Sequence, residues 1–202
     1  RAAKNAEPAR AARKQSPWRR GRQNLAHRLA AQQIGRMTKR RMVVALDGPI
    51  AAGKSSVLRA LEAAGAARVF PEPVAEWAEW LPLLYADPKR WAFAFQVKVL
   101  AAFARMRAAI DALPPGCALA VVERSPLTCR GVFGQALFAR GDLSPKEWDL
   151  FRALHAQLGW APDAVVYLDA PAEACLARAA ARGRRGEAGL DLEHMHRIEF
   201  HY

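Results

Sequence analysis

A glycine-rich loop between a predicted strand and a predicted helix constrains this chain more than any other feature of its sequence. Residues 48–55 read GPIAAGKS and satisfy the pattern GxxxxGK[ST]. The preceding residues 41–46 (RMVVAL) are typical of a short buried strand, and residues 54–64 are rich in Ala and Leu and end before Gly65, a helix stop. This order of strand, loop and helix is the context in which the pattern binds the phosphates of a nucleotide.

The chemistry of this loop follows from its glycines and its last two residues. Gly48 and Gly53 let the backbone curl, so that consecutive N–H groups and the positive end of the helix face the phosphates. Lys54 is expected to neutralise the outer phosphates of ATP, and the Ser55 hydroxyl is expected to bind Mg²⁺. The residues predicted to contact ATP in this segment are Gly48, Ala51, Ala52, Gly53, Lys54, Ser55 and Ser56. A chance match is the alternative, and the flanking strand and helix argue against it.

Strands and helices alternate along the rest of the chain. Further strands are predicted at 67–70, 118–122 and 163–168. Helices are predicted at 89–112, at 126–139, from 144, at 172–182 and from about 190. Ser144, Pro145 and Glu147 form a capping-box start. Such alternation predicts an α/β fold with a mainly parallel sheet that is flanked by helices on both faces.

The net charge of +12 belongs to one end of the sequence. Residues 1–41 contain 13 Lys and Arg and a single acid, Glu7, whereas residues 42–202 contain 18 basic and 18 acidic residues. The charge of 42–202 therefore gives no reason to expect nucleic acid as a partner of the folded part. We expect one domain, 42–202, preceded by a basic arm, 1–41, without a fixed structure.

The basic arm has three interpretations. It is rich in Ala, Arg and Gln, and Leu25, Leu29 and Ile34 fall near helical spacing, as in a mitochondrial transit peptide. It is also consistent with an extension that has no function, or with a segment that binds an anionic surface. The sequence therefore leaves open whether the protein is cytoplasmic or mitochondrial.

Cysteine spacing and hydropathy exclude other classes of protein. Cys117, Cys129 and Cys175 have no CxxC spacing, which argues against a disulfide framework and against a zinc site. No apolar run is long enough to predict a membrane span or a secretory signal. The chain is expected to be soluble, in a reducing compartment and without a membrane partner.

Two of the predicted strands are followed by charged residues. Glu72 follows the second strand, and Glu123 and Arg124 follow the third. Because the carboxyl ends of parallel strands border the ligand crevice of an open α/β sheet, we expect these side chains beside the phosphate loop. Glu72 is the candidate general base, Arg124 its partner and a ligand of the transferring phosphoryl group, and Glu123 a second Mg²⁺ ligand. A solvated residue at a strand end is the alternative for each acid.

An arginine-rich stretch follows the predicted helix 172–182. Arg182, Arg184 and Arg185 lie next to glycines, at a density typical of a mobile flap. Guanidinium groups bind phosphate oxygens in pairs, so these residues are predicted to close over the triphosphate as a lid. An ordinary solvated helix end is the alternative.

Several segments occur in the order that is typical of one enzyme family. They read DGPIAAGKSS, FPEPVAEW, YADPKRWAFAFQ, ERSPLTCRGVF and RAAARGRRGEAGLDLEHM. With these segments, about 41–202 of the chain resembles the deoxynucleoside kinases, a family that includes deoxycytidine, deoxyguanosine and mitochondrial thymidine kinases. The resemblance implies a P-loop kinase with an arginine-rich lid. Such an enzyme uses ATP and Mg²⁺ to phosphorylate the 5′-hydroxyl of a deoxynucleoside, and it is expected to be a homodimer.

The resemblance also implies roles for residues around the nucleoside. Glu72 matches the base that takes the proton from the 5′-hydroxyl, and Gln96 matches the glutamine that reads the base edge. Phe133 matches the aromatic residue that stacks on the base, while Tyr85 and Glu187 match the pair that holds the sugar 3′-hydroxyl. The expected substrate-binding residues are Trp77, Tyr85, Phe95, Gln96, Phe103, Cys129, Phe133 and Glu187. Taken singly, the aromatic residues of this set are more typical of a core.

Two positions bear on the choice of base. In the family, selectivity for deoxycytidine is associated with an Arg seven residues after the base-reading Gln and an Asp six residues after the Glu of ERS. Here these positions are Phe103 and Cys129, which form no charged pair. The pocket is therefore expected to be closer to that of the thymidine-accepting members, with thymidine or another pyrimidine nucleoside favoured.

The C-terminal end of the sequence departs from the family pattern. Family members continue beyond the helix that contains Tyr202, into a fifth strand and a loop that borders the adenine. The domain 42–202 is therefore expected to lack the final strand and to have an exposed sheet edge.

Two other functions are alternatives to the kinase interpretation. A nucleoside monophosphate kinase shares the phosphate loop, but a pocket built from Glu72, Gln96 and Tyr85 offers an acceptor phosphate little beyond Arg124. A non-catalytic protein that binds nucleotides or nucleic acid is the other class. The neutral charge of 42–202 disfavours it.

Overall fold

A four-stranded sheet forms the centre of the structure, a computed structural model that describes residues 41–184, 187 and 189–202. The strands are β1 Met42–Asp47, β2 Arg68–Phe70, β3 Leu119–Glu123 and β4 Ala164–Tyr167. They lie in the order β2-β3-β1-β4, and each neighbouring pair is parallel. The predicted parallel sheet is confirmed. The predicted basic arm, apart from Arg41, lies outside the described residues.

Helices connect the strands. They are α1 Lys54–Ala63, α2 Leu81–Ala86, α3 Pro88–Asp111, α4 Pro126–Thr128, α5 Gln135–Ala139, α6 Pro145–Leu158, α7 Ala172–Arg182 and α8 Leu192–Phe200. A 3₁₀ turn spans Val74–Glu76, and a π-helical segment, Cys129–Gly134, joins α4 to α5.

The structure differs from the sequence prediction in two connections. The short helix α2 and the 3₁₀ turn before it were not predicted, because six and three residues are too few to show a helical period. The predicted helix 126–139 contains the π-helical segment, which shifts the hydrogen-bond partners by one residue without changing the apolar pattern. Such segments are frequent at functional sites, and this one carries Cys129 and Phe133.

Alternate residues of β1 bury the two faces of the sheet. Val43 packs into a core with Phe103 of α3 and Phe151 of α6, and the two phenylalanines are almost fully buried. Leu46 faces the other side and packs with Leu58 of α1. Because successive side chains of a strand point to opposite faces, helices cover the sheet on both sides, as the α/β pattern predicts.

The strand register gathers the ends of β1, β2 and β3 at one edge of the sheet. Leu46 of β1 pairs with Glu123 of β3, and Phe70 of β2 pairs with Val122. Since all three strands run in the same direction, the residues that follow them leave the sheet side by side. Glu72, Glu123 and Arg124 therefore lie at this edge of the sheet.

No helix in the described part of the chain is long and apolar enough to cross a bilayer.

The start of α6 is the predicted capping box. The Ser144 hydroxyl oxygen accepts from the Glu147 backbone N–H at 3.3 Å, and the Glu147 carboxylate accepts from the Ser144 backbone N–H at 2.8 Å. These hydrogen bonds satisfy two helix-terminal donors that have no partner within the helix. The Ser144 hydroxyl also donates to the Glu147 carboxylate at 2.6 Å, and this bond, together with the bond from the Ser144 backbone N–H, lowers the pKa of the Glu147 carboxyl group.

We expect Ser144→Ala to lower the free energy of unfolding by about 1 kcal/mol at neutral pH, because it removes a helix cap. The effect should shrink as the pH falls through the lowered pKa of Glu147, since the protonated carboxyl group accepts less well from the Ser144 hydroxyl that the substitution removes. Urea denaturation followed by circular dichroism measures both. Lys146→Ala, an exposed change in the same turn, is the control and should alter stability by less than about 0.5 kcal/mol. Equal effects of the two variants would contradict the capping role.

Candidate active site

A cavity of about 610 Å³ opens at the carboxyl edge of the sheet. Its wall combines the start of α1, the residues after β2 and β3, the apolar faces of α2 and α3, the π-helical segment and the stretch between α7 and α8. The predicted site residues on this wall are Ala51, Lys54, Ser55, Glu72, Trp77, Tyr85, Phe95, Gln96, Phe103, Glu123, Arg124, Cys129, Phe133, Arg182, Arg184 and Glu187. The structure therefore brings residues from widely separated segments into one site.

The loop after β1 has the backbone conformation that its sequence predicts. Gly48 and Gly53 adopt φ angles of +136° and +108°, in the region that favours glycine. A Cβ atom on Gly48 would lie 2.5 Å from the carbonyl oxygen of Leu168, so a larger residue there would push β1 and β4 apart. No atom lies within 4 Å of the position that a Cβ atom on Gly53 would occupy, so only the positive φ angle favours glycine there.

Lys54 is folded back onto this loop. Its ammonium group donates to the carbonyl oxygens of Gly48 at 3.0 Å and Pro49 at 2.7 Å, and the residue is only 4% exposed. Burial lowers the pKa of Lys54 to about 7, helped by Arg124 and opposed by nearby carboxylates. A bound anion would reverse this effect, because opposite charge favours the protonated amine.

Ser55 and Glu123 form the pair of oxygen ligands predicted for Mg²⁺. The Ser55 hydroxyl donates to the two Glu123 carboxylate oxygens at 3.1 and 3.2 Å, where the start of α1 meets the end of β3. The described residues contain no cluster of three or more His, Cys, Asp or Glu side chains that could hold a metal alone. This donor set fits Mg²⁺, which prefers oxygen and usually completes its shell with water and substrate phosphates.

Arg124 and Glu72 form a buried ion pair on the wall of the cavity. The Arg124 Nη1 atom donates to Glu72 Oε2 at 2.6 Å, and the two side chains are 8% and 15% exposed. Arg124 adopts φ +61° and its guanidinium group lies 4.9 Å from the centre of the Phe133 ring. Burial opposes its charge, but Glu72, Tyr202 and Asp47 together raise the pKa of Arg124 above its ordinary value. Arg124 therefore stays charged.

The predicted base-binding residues lie at the closed end of the cavity, on α3 and the π-helical segment. Gln96 is 2% exposed, and its side-chain oxygen accepts from the Cys129 thiol at 3.2 Å. Burial raises the pKa of Cys129, so the thiol stays protonated and keeps this donor. Phe103 packs against Trp77, with ring centres 6.3 Å apart. The Gln96 amide is thus held in one orientation between apolar walls.

The other end of the cavity carries the predicted lid and sugar-binding residues. Glu187 forms ion pairs with Arg182 at 2.7 Å and Arg184 at 3.3 Å. Burial raises the pKa of Tyr85, and the charge of Glu187 adds to the effect, which places these two side chains near each other. The predicted lid residue Arg185 lies outside the described residues.

Four described residues that are predicted to contact ATP are not on the cavity wall: Gly48, Ala52, Gly53 and Ser56. Ala52 offers its carbonyl oxygen to Arg178 at 3.5 Å, and Gly53 forms the turn into α1. The exposed Ser56 hydroxyl accepts from Arg59 at 3.1 Å. Their predicted roles in ATP binding stay predictions.

Sequence reasoning missed a group of residues beneath the loop. Asp47 is 6% exposed at the end of β1 and accepts from the hydroxyl groups of Thr128 and Tyr202. An acid directly after the apolar run of β1 was a signal for a buried carboxylate. Tyr202 carried no signal, because 155 residues separate it from Asp47 in the sequence.

Comparison with known proteins identifies the family of this chain. The family model described as deoxynucleoside kinase matches residues 44–202. Deoxycytidine kinase 2 of Gallus gallus is 30% identical over 80% of this chain and 72% of its own length. A putative deoxynucleoside kinase of Frog virus 3 is 33% identical over 76% of each chain, and deoxycytidine kinase of Homo sapiens is 29% identical over 78% and 72%. With a matching family model over most of its length and these relatives, the chain belongs to the deoxynucleoside kinase family.

Proposed function

We propose that this protein transfers the γ-phosphate of ATP, with Mg²⁺, to the 5′-hydroxyl of a pyrimidine deoxynucleoside. The observation that carries the proposal is the Glu72–Arg124 pair, 2.6 Å apart on the wall of a cavity that also contains Lys54 of the phosphate loop. A carboxylate for the acceptor hydroxyl and cations for the phosphates thus share one space.

For each step of the reaction, this arrangement contains a residue that can carry it out. Glu72 accepts the proton of the 5′-hydroxyl as that oxygen attacks the γ-phosphorus, and the bond to the bridging oxygen of ADP breaks. Arg124 holds Glu72 and faces the phosphoryl group, while Lys54 neutralises the phosphates. When Mg²⁺ is bound, Ser55 and Glu123 are the residues that would hold it, and it would neutralise charge on the phosphate oxygens.

The arginines around the cavity favour a neutral acceptor over a nucleoside monophosphate. Each arginine of the described cavity lining is in an ion pair: Arg124 with Glu72, Arg140 with Asp142, Arg182 and Arg184 with Glu187, and Arg197 with Glu193. A second phosphate would have to break one of these pairs, whereas a sugar hydroxyl can join them as a hydrogen-bond partner.

The base preference rests on Cys129 and Phe103. The thiol donates to Gln96 and brings no charge into the closed end of the cavity, and Phe103 adds an apolar wall that is only 1% exposed. Several relatives are named deoxycytidine kinases. Without the charged pair that the family associates with deoxycytidine, we infer a preference for thymidine.

We expect labelled γ-phosphate to pass from ATP to thymidine, and Glu72→Gln to lower kcat by about 10²- to 10⁴-fold, because the amide cannot accept the proton. The assay should test the four deoxynucleosides and their monophosphates in parallel. Glu79→Gln is the matched control, since this exposed carboxyl group lies off the cavity wall, and it should keep full activity. Transfer to monophosphates but to no nucleoside would contradict the proposal.

We expect the double variant Phe103→Arg and Cys129→Asp to raise the ratio of kcat/KM for deoxycytidine over thymidine by at least about tenfold, because a charged pair can hydrogen-bond the cytosine edge. Competition between the two nucleosides in one reaction measures the ratio directly. Cys117→Asp places the same charge away from the cavity and should leave the ratio unchanged. A wild-type enzyme that already prefers deoxycytidine would refute the inferred preference.

We expect nucleotide binding at pH 8 to take up about one proton, because the free Lys54 amine, with a pKa of about 7, is then mostly neutral and the phosphates would protonate it. Titration calorimetry in buffers with different ionisation enthalpies measures the uptake. Lys54→Arg should bind without uptake, since a guanidinium group is always charged. Binding by the wild type at pH 8 with no proton uptake would show that Lys54 is already charged.

A further inference from the structure

A buried carboxylate lies behind the proposed catalytic pair, on the side away from the cavity. Asp47 Oδ1 accepts from the Gly48 backbone N–H at 2.9 Å and from the Tyr202 hydroxyl at 2.8 Å, and Asp47 Oδ2 accepts from the Thr128 hydroxyl. These three donors are neutral groups. None of Asp47, Thr128 and Tyr202 lines the cavity, so any role in the reaction must act through another residue.

That other residue is Arg124. Its Nε atom lies 3.9 Å from Asp47 Oδ1 and 3.5 Å from the Tyr202 hydroxyl oxygen, while its Nη1 atom holds Glu72 at 2.6 Å. The guanidinium group therefore lies between two carboxylates, with Asp47 on the buried side and Glu72 on the cavity side. Because the guanidinium plane is rigid, fixing its Nε edge also fixes the position of Nη1.

The backbone of Arg124 alone does not hold its guanidinium group in place. Arg124 adopts φ +61°, a conformation that a non-glycine residue keeps only when its surroundings hold it. One backbone bond, from Arg124 N–H to the carbonyl oxygen of Leu46 at 3.0 Å, anchors the main chain. Nη2 also donates to the carbonyl oxygen of Gly48 at 3.4 Å, and the Tyr202 hydroxyl lies 2.9 Å from that oxygen. Asp47 and Tyr202 are the polar side chains that face the Nε edge.

We propose that Asp47 and Tyr202 are positioning residues, which hold the Arg124 guanidinium group so that it presents Glu72 to the acceptor hydroxyl. The proposal rests on the function proposed above. Asp47 has a second effect: its charge offsets part of the positive charge of Arg124, which would otherwise make Glu72 a weaker base. Tyr202 acts through its hydroxyl group alone.

The test compares Asp47→Asn, which removes the charge but keeps the size, with Tyr202→Phe, which removes only the hydroxyl. Tyr202 is 38% exposed, so its loss of one oxygen removes little packing, and thermal unfolding will show that both variants fold. We expect kcat to fall about 10- to 100-fold in each, because small misplacements of reacting groups have effects of this size. The KM for the nucleoside should change by less than about threefold.

The pH profile separates positioning from a merely structural role. In Asp47→Asn the acid limb of kcat should move to lower pH, because Arg124 then acts on Glu72 without the offsetting charge. In Tyr202→Phe the limb should stay in place. The other titratable groups that interact with Glu72 are Lys54 and Cys129. Loss of the Asp47 charge also lowers the pKa of Lys54, but that change acts on the alkaline limb of the profile, where the lysine loses its proton. A profile that Asp47→Asn does not move, with kcat within twofold of the wild type, would overturn the proposal.

A measurement without turnover distinguishes failure of this proposal from failure of the proposed function. The Nε–H resonance of Arg124 in nitrogen-edited NMR, assigned by its loss in Arg124→Lys, should be sharp and slowly exchanging in the wild type. We expect it to broaden or exchange at least about tenfold faster in both variants, because the Nε edge loses its partners. An unchanged resonance would overturn the positioning role even if no nucleoside is phosphorylated.

Discussion

Parallel pairing of β1 with both β3 and β4 decides where every charged group of the site lies. Helices cover both faces of the sheet, so the middle of the central strand β1 has no solvent-exposed position for a polar side chain. The charged side chains that follow the strands therefore lie at the edge where the strands end. Glu123 and Arg124 leave β3 beside the phosphate loop, and Glu72 follows β2 at the same edge. Helices α3 and α6 pack on one face of the sheet, and α3 also supplies apolar residues of the cavity wall.

The buried ionisable side chains at this edge form one interacting group. Two cations, Lys54 and Arg124, interact with three carboxylates, those of Asp47, Glu72 and Glu123. The two cations respond differently to burial. An amine loses its proton when it is desolvated, and the pKa of Lys54 falls to about 7, whereas a guanidinium group keeps its charge and gains stabilisation from the acids. Arg124 can therefore hold Glu72 permanently, while the charge of Lys54 depends on a bound anion.

The side chains predicted to contact the two substrates interact with each other: Arg182 and Arg184 are predicted to bind ATP, and Glu187 the sugar. Glu187 pairs with Arg182 and Arg184, and its charge also acts on Tyr85. A phosphate that bound Arg182 or Arg184 would have to take the place of the Glu187 carboxylate. A sugar hydroxyl that bound Glu187 would compete with the same arginines.

The local chemistry of this protein was determined by its sequence, and the spatial grouping was decided by the tertiary structure. The pattern from Gly48 to Ser55 predicts its own loop, because left-handed glycines and a helix start are local properties. Gln96 and Phe133 were predicted from their resemblance to family motifs, since nothing in their periodicity distinguishes a pocket from a core. The contact of Tyr202 with Asp47 spans 155 residues and depends on how α8 packs. No local pattern encodes such a contact, because only the folded chain brings the two side chains together.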